Sequence, residues 1–260
     1  MTRLRAAAVM GGVVACALVA ADVVAGTQAK TAIDMRGHSQ ALVLYGARGE
    51  RPVIVSSGDG GWIHLGPHVA DVLAARGYFV VGFDTRAYLA SFTSDTGALR
   101  EDEVREDYKQ LADFAARGSA SRPILIGVSE GAGLSALAAT SPETRNAIAG
   151  VIGLGLTTTN ELGWRWKDAV TYLTHGTPRE PTFSSAAVVP LVSPAPLAAI
   201  HATGDEFAPI PEIRSILDAA RAPKRLWVVN ASDHRFSDNL DELDRCLLEA
   251  ITWVTDHAAR

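Results

Sequence analysis

The chain has 260 residues, 48% of them hydrophobic and 20% charged, with 23 Gly, 12 Pro and 2 Cys. That length and apolar share suit one domain with a sizeable core and exclude disordered, collagen-like and mucin-like chains. Two Cys exclude a disulfide framework, and a formal net charge of -5 argues against nucleic acid as a partner, which needs basic patches.

Arg3 and Arg5 precede an uncharged apolar run over residues 6–21, a basic region followed by a hydrophobic one. Residues 1–25 therefore read as an export signal peptide or a membrane anchor. Small residues suited to cleavage stand at Val23-Val24-Ala25 and at Thr27-Gln28-Ala29. Val13-Val14-Ala15-Cys16 also resembles a lipobox, with Cys16 as the lipid-bearing residue, although the residues after it stay apolar. The domain proper spans 30–260. Without the first 25 residues, which hold Arg3, Arg5 and Asp22, the net charge is one unit more negative.

Residues 41–45 read as an edge strand. Residues 52–56 form a short continuous apolar run, the pattern of a buried parallel strand. Leu65, Val69, Val72 and Leu73 then repeat at helical spacing until Gly77. A strand at 78–83 follows. The next helix carries Val104, Tyr108, Leu111 and Ala115 on one face and ends at Gly118. Its other face carries Glu101, Asp102, Glu103, Arg105, Glu106 and Asp107 and is expected to be solvated, with Glu101 and Arg105 as an i,i+4 pair.

Further strands are predicted at 123–128, 147–154, 196–202 and 225–229, with helices at 131–139 and 211–220. The last helix aligns Leu240, Leu243, Leu247, Ile251 and Val254, and Cys246 on it is expected to be a buried small hydrophobe. This alternation predicts an α/β fold: a mostly parallel sheet flanked by helices. The segment 157–194, rich in Thr, Ser and Pro and carrying Trp164, Trp166 and Tyr172, breaks the rhythm and reads as a lid-like insertion. The two Trp residues suit either a lipid interface or the cap of a core.

Gly127-Val128-Ser129-Glu130-Gly131 is the strongest chemical signal. A bare G-x-S-x-G is weak, but this one follows an apolar strand and opens a small-residue helix, as a nucleophile elbow requires. Serine needs a base, and the base needs an orienting acid. Asp205 follows the strand 196–202 and His234 the strand 225–229, both just past carboxyl ends, where open α/β sheets build sites. Ser129, Asp205 and His234 are therefore the expected triad, in the chain order of this elbow. An unperturbed imidazole titrates near ~6.5, which suits proton exchange at neutral pH. Glu206 and Asp233 are rival acids.

Ser57-Gly58-Asp59-Gly60-Gly61-Trp62 follows the strand 52–56, where such a fold supplies one amide of an oxyanion hole. The expected donors are the amides of Asp59 and Glu130, and Gly58, Gly60 and Trp62 are expected at the substrate. There is no Walker Lys, so nucleotide binding is discounted, and no cofactor is expected. His64 and His68 stand at i,i+4, but without the Glu of H-E-x-x-H no metal site is expected. His201 is expected to be a satisfied core histidine. His38, His175 and His257 have no partner that sequence identifies.

With these motifs, the chain resembles an α/β-hydrolase of the bacterial AcvB/VirJ virulence-protein family. Besides the two glycine-rich motifs, the resemblance is carried by Leu73-Ala74-Ala75-Arg76-Gly77-Tyr78 with Val80-Val81-Gly82, Gly204-Asp205-Glu206 and Asp233-His234-Arg235-Phe236. It implies an exported periplasmic esterase that removes the lysyl or alanyl group from aminoacyl-phosphatidylglycerol, with Ser129 as nucleophile, Asp205 as acid and His234 as base. Contact with the inner-membrane surface and a secretion-system partner are also implied. Glu130 departs from the aromatic or other uncharged residue expected there, which bears on substrate preference. Asp59, Glu130 and Glu206 around a pocket would suit the substrate's ammonium group, although Glu130 also suits a solvated helix N-terminus. Other readings are a peptidase or thioesterase on the same triad, or a non-catalytic binding protein serving secretion.

Overall fold

The computed structural model describes residues 28–49, 51–165 and 180–258. The expectations for residues 1–25, Cys16, Trp166, Tyr172 and His175 lie outside the described residues. Eight strands form one sheet: β1 (Ala29–Met35), β2 (His38–Tyr45), β3 (Pro52–Ser56), β4 (Phe79–Phe83), β5 (Ile124–Val128), β6 (Gly150–Leu154), β9 (Leu197–Ala202) and β10 (Lys224–Val229). Their order is β1-β2-β4-β3-β5-β6-β9-β10, antiparallel at β1-β2 and β2-β4 and parallel from β4 onward.

The segment 41–45 is thus not an edge. β1 pairs with β2 from His38 to Leu44 through a turn at Arg36 and Gly37, both with positive φ. β1 carries no long apolar run to announce it; only alternate residues are sheltered.

The helices are α1 (Leu65–Ala74), α2 (Thr85–Phe92), α3 (Glu101–Ala116), α4 (Glu130–Ala138), α5 (Pro142–Ala147), α6 (Ser185–Val188), α7 (Ile210–Ala219) and α8 (Leu240–His257). Residues of α1 and α8, such as Val69, Leu73, Leu247 and Ile251, pack on Val53, Ile126 and Ile152. On the other face α3, α4 and α7 bring Tyr108, Leu111, Leu134 and Ile213 to Ile54, Leu125 and Val151. Successive strand residues point to opposite faces, which is why the parallel strands read as unbroken apolar runs. Each fully buried aliphatic side chain contributes roughly 1.5–3 kcal/mol.

Two further expectations change. The segment 147–154 divides: its first residue ends α5, which Ser141 caps by accepting from the Thr144 amide, and the strand begins at Gly150. Asp107 is not solvated. It is 2% exposed, takes a bidentate bond from Arg36 at 3.1 and 2.7 Å, and accepts from Tyr88 Oη at 2.6 Å. The Arg36 guanidinium reaches it from the β1-β2 turn and makes its burial tolerable. Glu101 and Arg105 do pair, at 2.6 Å.

Part of the insertion is described. β7 (Thr159–Glu161) and β8 (Thr182–Ser184) form an antiparallel pair, followed by α6. Trp164 is 7% exposed and belongs to the core, so of its two expected places it takes the cap of a core. Cys246 is buried on α8.

Candidate active site

Because β3, β5, β9 and β10 run parallel, the loops after them meet at one sheet edge. Ser129 stands between β5 and α4 with φ 52° and ψ -116°. A non-glycine residue there is strained, and its side chain is turned out of the sheet. The neighbours make this turn feasible. A Cβ on Gly127 would lie 2.1 Å from the Gly131 carbonyl oxygen, and one on Gly131 would lie 2.4 Å from that of Ser57. The Ser129 amide donates to the Leu154 carbonyl at 2.8 Å, tying the elbow to β6.

His234 Nδ1 donates to Asp205 Oδ2 at 2.7 Å. Asp205 Oδ1 accepts the amides of Phe207 and Ala208 at 2.9 and 3.0 Å. Burial alone would raise the Asp205 carboxyl, but the His234 bond and charge, with the Ala208 amide, outweigh it and hold the group below its ordinary value. The rival acids have other tasks. Glu206 accepts the backbone amide of His234 at 2.8 Å, and Asp233 accepts the amides of Arg235 and Ser237.

Ser129 and His234 both line a cavity of about 480 Å³. Ser129 Oγ makes no hydrogen bond to any described residue, so the arrangement is joined at Asp205–His234 and open at His234–Ser129. Bonds of this type commonly tighten only when substrate is bound. Gly58 and Gly60 line the same cavity, and a Cβ on Gly58 would lie 3.2 Å from Ser129 Cβ. The amides of Asp59 and Glu130 donate to no described acceptor. Trp62 turns away from the cavity. Its indole donates to Tyr45 Oη at 3.1 Å and fills the notch at Gly82, where a Cβ would be 2.4 Å from the ring. Its amide donates to Asp84 Oδ2 at 3.1 Å.

Glu130 is not a solvated helix-terminal acid. It is 8% exposed, and Oε1 accepts the Glu161 amide at 2.6 Å. Burial, with Glu161 and Asp59 nearby, raises its carboxyl well above the ordinary range. Besides Asp59 and Glu130, the cavity wall holds Glu161 and Glu212, while Glu206 lies outside it. Sequence reasoning missed Glu161 and Glu212 because neither belongs to a motif. It also missed Ile63 and Phe207, half-exposed apolar side chains of the same wall, the latter edge-on to the His234 ring at 5.2 Å.

His68 bonds Asp244 at 2.8 Å, and His64 lines the cavity. Among the described residues no group of three or more His, Cys, Asp or Glu could hold a metal ion. No helix among them is long and apolar enough to cross a membrane.

A family model described as bacterial virulence protein (VirJ) matches residues 50–253. No curated protein matches the chain. Among solved structures, the chain is similar to a dienelactone hydrolase from Anabaena variabilis, with 16% identity, 90% of this chain and 99% of that one covered, and a TM-score of 0.61. It is similar to an esterase from Pyrococcus furiosus, with 17% identity, 86% and 88% covered, and a TM-score of 0.63. It is also similar to an α/β-hydrolase from a Penicillium species, with 12% identity, 90% and 100% covered, and a TM-score of 0.65. The fold is that of the α/β-hydrolases.

Proposed function

This chain belongs to the bacterial virulence protein (VirJ) family, and from that premise we propose that it is an exported serine esterase. The observation that carries the reading is the 2.7 Å bond to Asp205 from His234, which lines the same cavity as Ser129. In this reading His234 Nε2 takes the Ser129 proton as Oγ attacks the ester carbonyl. Asp205 fixes the imidazole tautomer and stabilises the imidazolium that forms. The amides of Asp59 and Glu130 receive the developing oxyanion. Collapse of the tetrahedral species expels the alcohol, which takes the proton from His234. Water then repeats the sequence on the acyl-enzyme and releases the acid.

The substrate proposed is the aminoacyl ester of lysyl- or alanyl-phosphatidylglycerol, and the compartment the periplasm. The ester's ammonium group suits a wall holding Asp59, Glu161 and Glu212, and the lipid's fatty-acyl chains suit the apolar Ile63 and Phe207. The acidic chain has no general attraction to an anionic bilayer, so recognition falls to this cavity and its rim.

The test is incubation of the purified protein with lysyl- and alanyl-phosphatidylglycerol beside Ser129→Ala. Release of the amino acid by the wild type alone, with fluorophosphonate labelling lost in the variant, supports the reading. Turnover retained in Ser129→Ala overturns it. No turnover of any ester, with capture of a secretion partner that survives Ser129→Ala, points instead to a binding protein.

A further inference from the structure

We infer that His201 is a positioning residue for the acid of the proposed triad, acting through the turn at 205–208; the inference rests on the esterase reading. His201 lies within β9, paired with Val228 of β10, and is 0% exposed. An apolar side chain would fill that place without any polar atom to satisfy. Its imidazole instead reaches the end of the strand. Nε2 lies 2.5 Å from the Ala208 carbonyl oxygen and 3.4 Å from Asp205 Oδ2. Both neighbours only accept, so the ring carries its proton on Nε2. Nδ1 is then a buried acceptor with no partner among the described residues.

Ala208 closes the circuit. Its carbonyl receives His201, and its amide donates to Asp205 Oδ1 at 3.0 Å. His201 therefore anchors the turn whose amides hold one carboxylate oxygen, and its ring edge borders the other, the one offered to His234. The titratable groups facing it are Asp205 and His234, and burial lowers its own pKa, which keeps it a neutral donor. A side chain that leaves Nδ1 unsatisfied serves the strand poorly and the carboxylate well. That combination separates a positioning role from a packing one.

The test compares the full-length wild type with His201→Leu and His201→Gln, whose side-chain amide retains a donor for Ala208. His201→Leu removes the orphan Nδ1 but leaves the buried Ala208 carbonyl without its donor, so it should melt within a few degrees of the wild type. Its kcat for the ester should fall roughly ten- to a hundredfold, while KM changes less than about twofold. His201→Gln should restore kcat to within about threefold of the wild type. Proton NMR supplies a readout independent of turnover: the low-field His234 Nδ1–H resonance should broaden or vanish in His201→Leu and persist in His201→Gln. If His201→Leu does not fold, His201→Asn, too short to reach Ala208, takes its place. Wild-type kcat in the Leu variant, or a loss that Gln does not restore, overturns the inference. If even the wild type turns over no ester, the esterase reading fails separately, and the resonance decides. Equal in all variants, it overturns the role of His201; lost only in His201→Leu, it supports that role.

Discussion

Gly155 and His234 are packed so closely that a Cβ on Gly155 would lie 2.5 Å from the imidazole Cε1. Gly155 also has φ +62°, and its amide donates to the Ile200 carbonyl at 3.0 Å, so the backbone there is held in place. Gly155→Ala must displace the ring. The expected outcome is a loss of about a hundredfold or more in kcat/KM, since a shift of about 1 Å is enough for that. The left-handed backbone and the contact should also cost roughly 1–3 kcal/mol of stability. Ester turnover and urea melts measure the two effects, and full activity in Gly155→Ala would show that His234 does not act from this position.

Asp205→Asn, Glu206→Gln and Asp233→Asn separate the acids. Asparagine at 205 can present its amide to His234 and favour the wrong tautomer, so kcat should fall about 10³–10⁴-fold. Among the described residues Glu206 accepts only the backbone amide of His234, and its loss should be far milder, within roughly tenfold. Asp233→Asn should be milder still. A larger loss at Glu206 than at Asp205 would transfer the acid's role.

Glu130 makes stability depend on pH in a defined direction. Its folded-state pKa is raised by burial, so the native state holds this proton more tightly than the unfolded chain does. The associated stability is fully present below the unfolded carboxyl value near ~4.3 and is lost as pH rises through the folded value. Glu130→Gln keeps an acceptor for the Glu161 amide and removes the titration. The variant and the wild type should melt alike near pH ~4, and the variant should melt a few degrees higher above pH ~7. Melts that differ equally at both pH values would contradict this.

The Arg36–Asp107–Tyr88 cluster predicts a stability effect remote from the cavity. Arg36→Met leaves the Asp107 carboxylate buried with the Tyr88 hydroxyl but without its cation, and should cost about 2–4 kcal/mol in urea unfolding. Tyr88→Phe, which removes one bond to the same carboxylate, should cost about 1–3 kcal/mol. Neither should change KM.

Much of this is legible in the sequence. Buried parallel strands show as apolar runs because both of their faces are covered, and Ser129 shows itself through the glycines that its turn demands. β1 was hidden because a strand at the edge needs only alternate sheltered residues. Asp107 reads as solvated because helical position alone does not reveal a guanidinium arriving from Arg36, 71 residues away. The cavity wall at Glu161 and Glu212 was invisible for the same reason: it is assembled by the fold from segments without a shared pattern. The motif G-D-G-G-W suggested Trp62 as a substrate contact, whereas its bulk goes to the notch at Gly82 and its amide to Asp84.

That placement of Trp62 has a consequence for how the site can diversify. The loop bearing the Asp59 amide is pinned at its far end by Tyr45, Gly82 and Asp84, none of which lines the cavity. In the proposed esterase its donors are set before an ester arrives, and no reorganisation is needed when charge develops on the carbonyl oxygen. On that reading the residues around the scissile carbon work as a fixed jig common to any ester. Preference among acyl groups then falls to the rest of the cavity lining, at Thr157, Glu161 and Glu212. On the same reading, substitutions there retune the substrate without disturbing the chemistry.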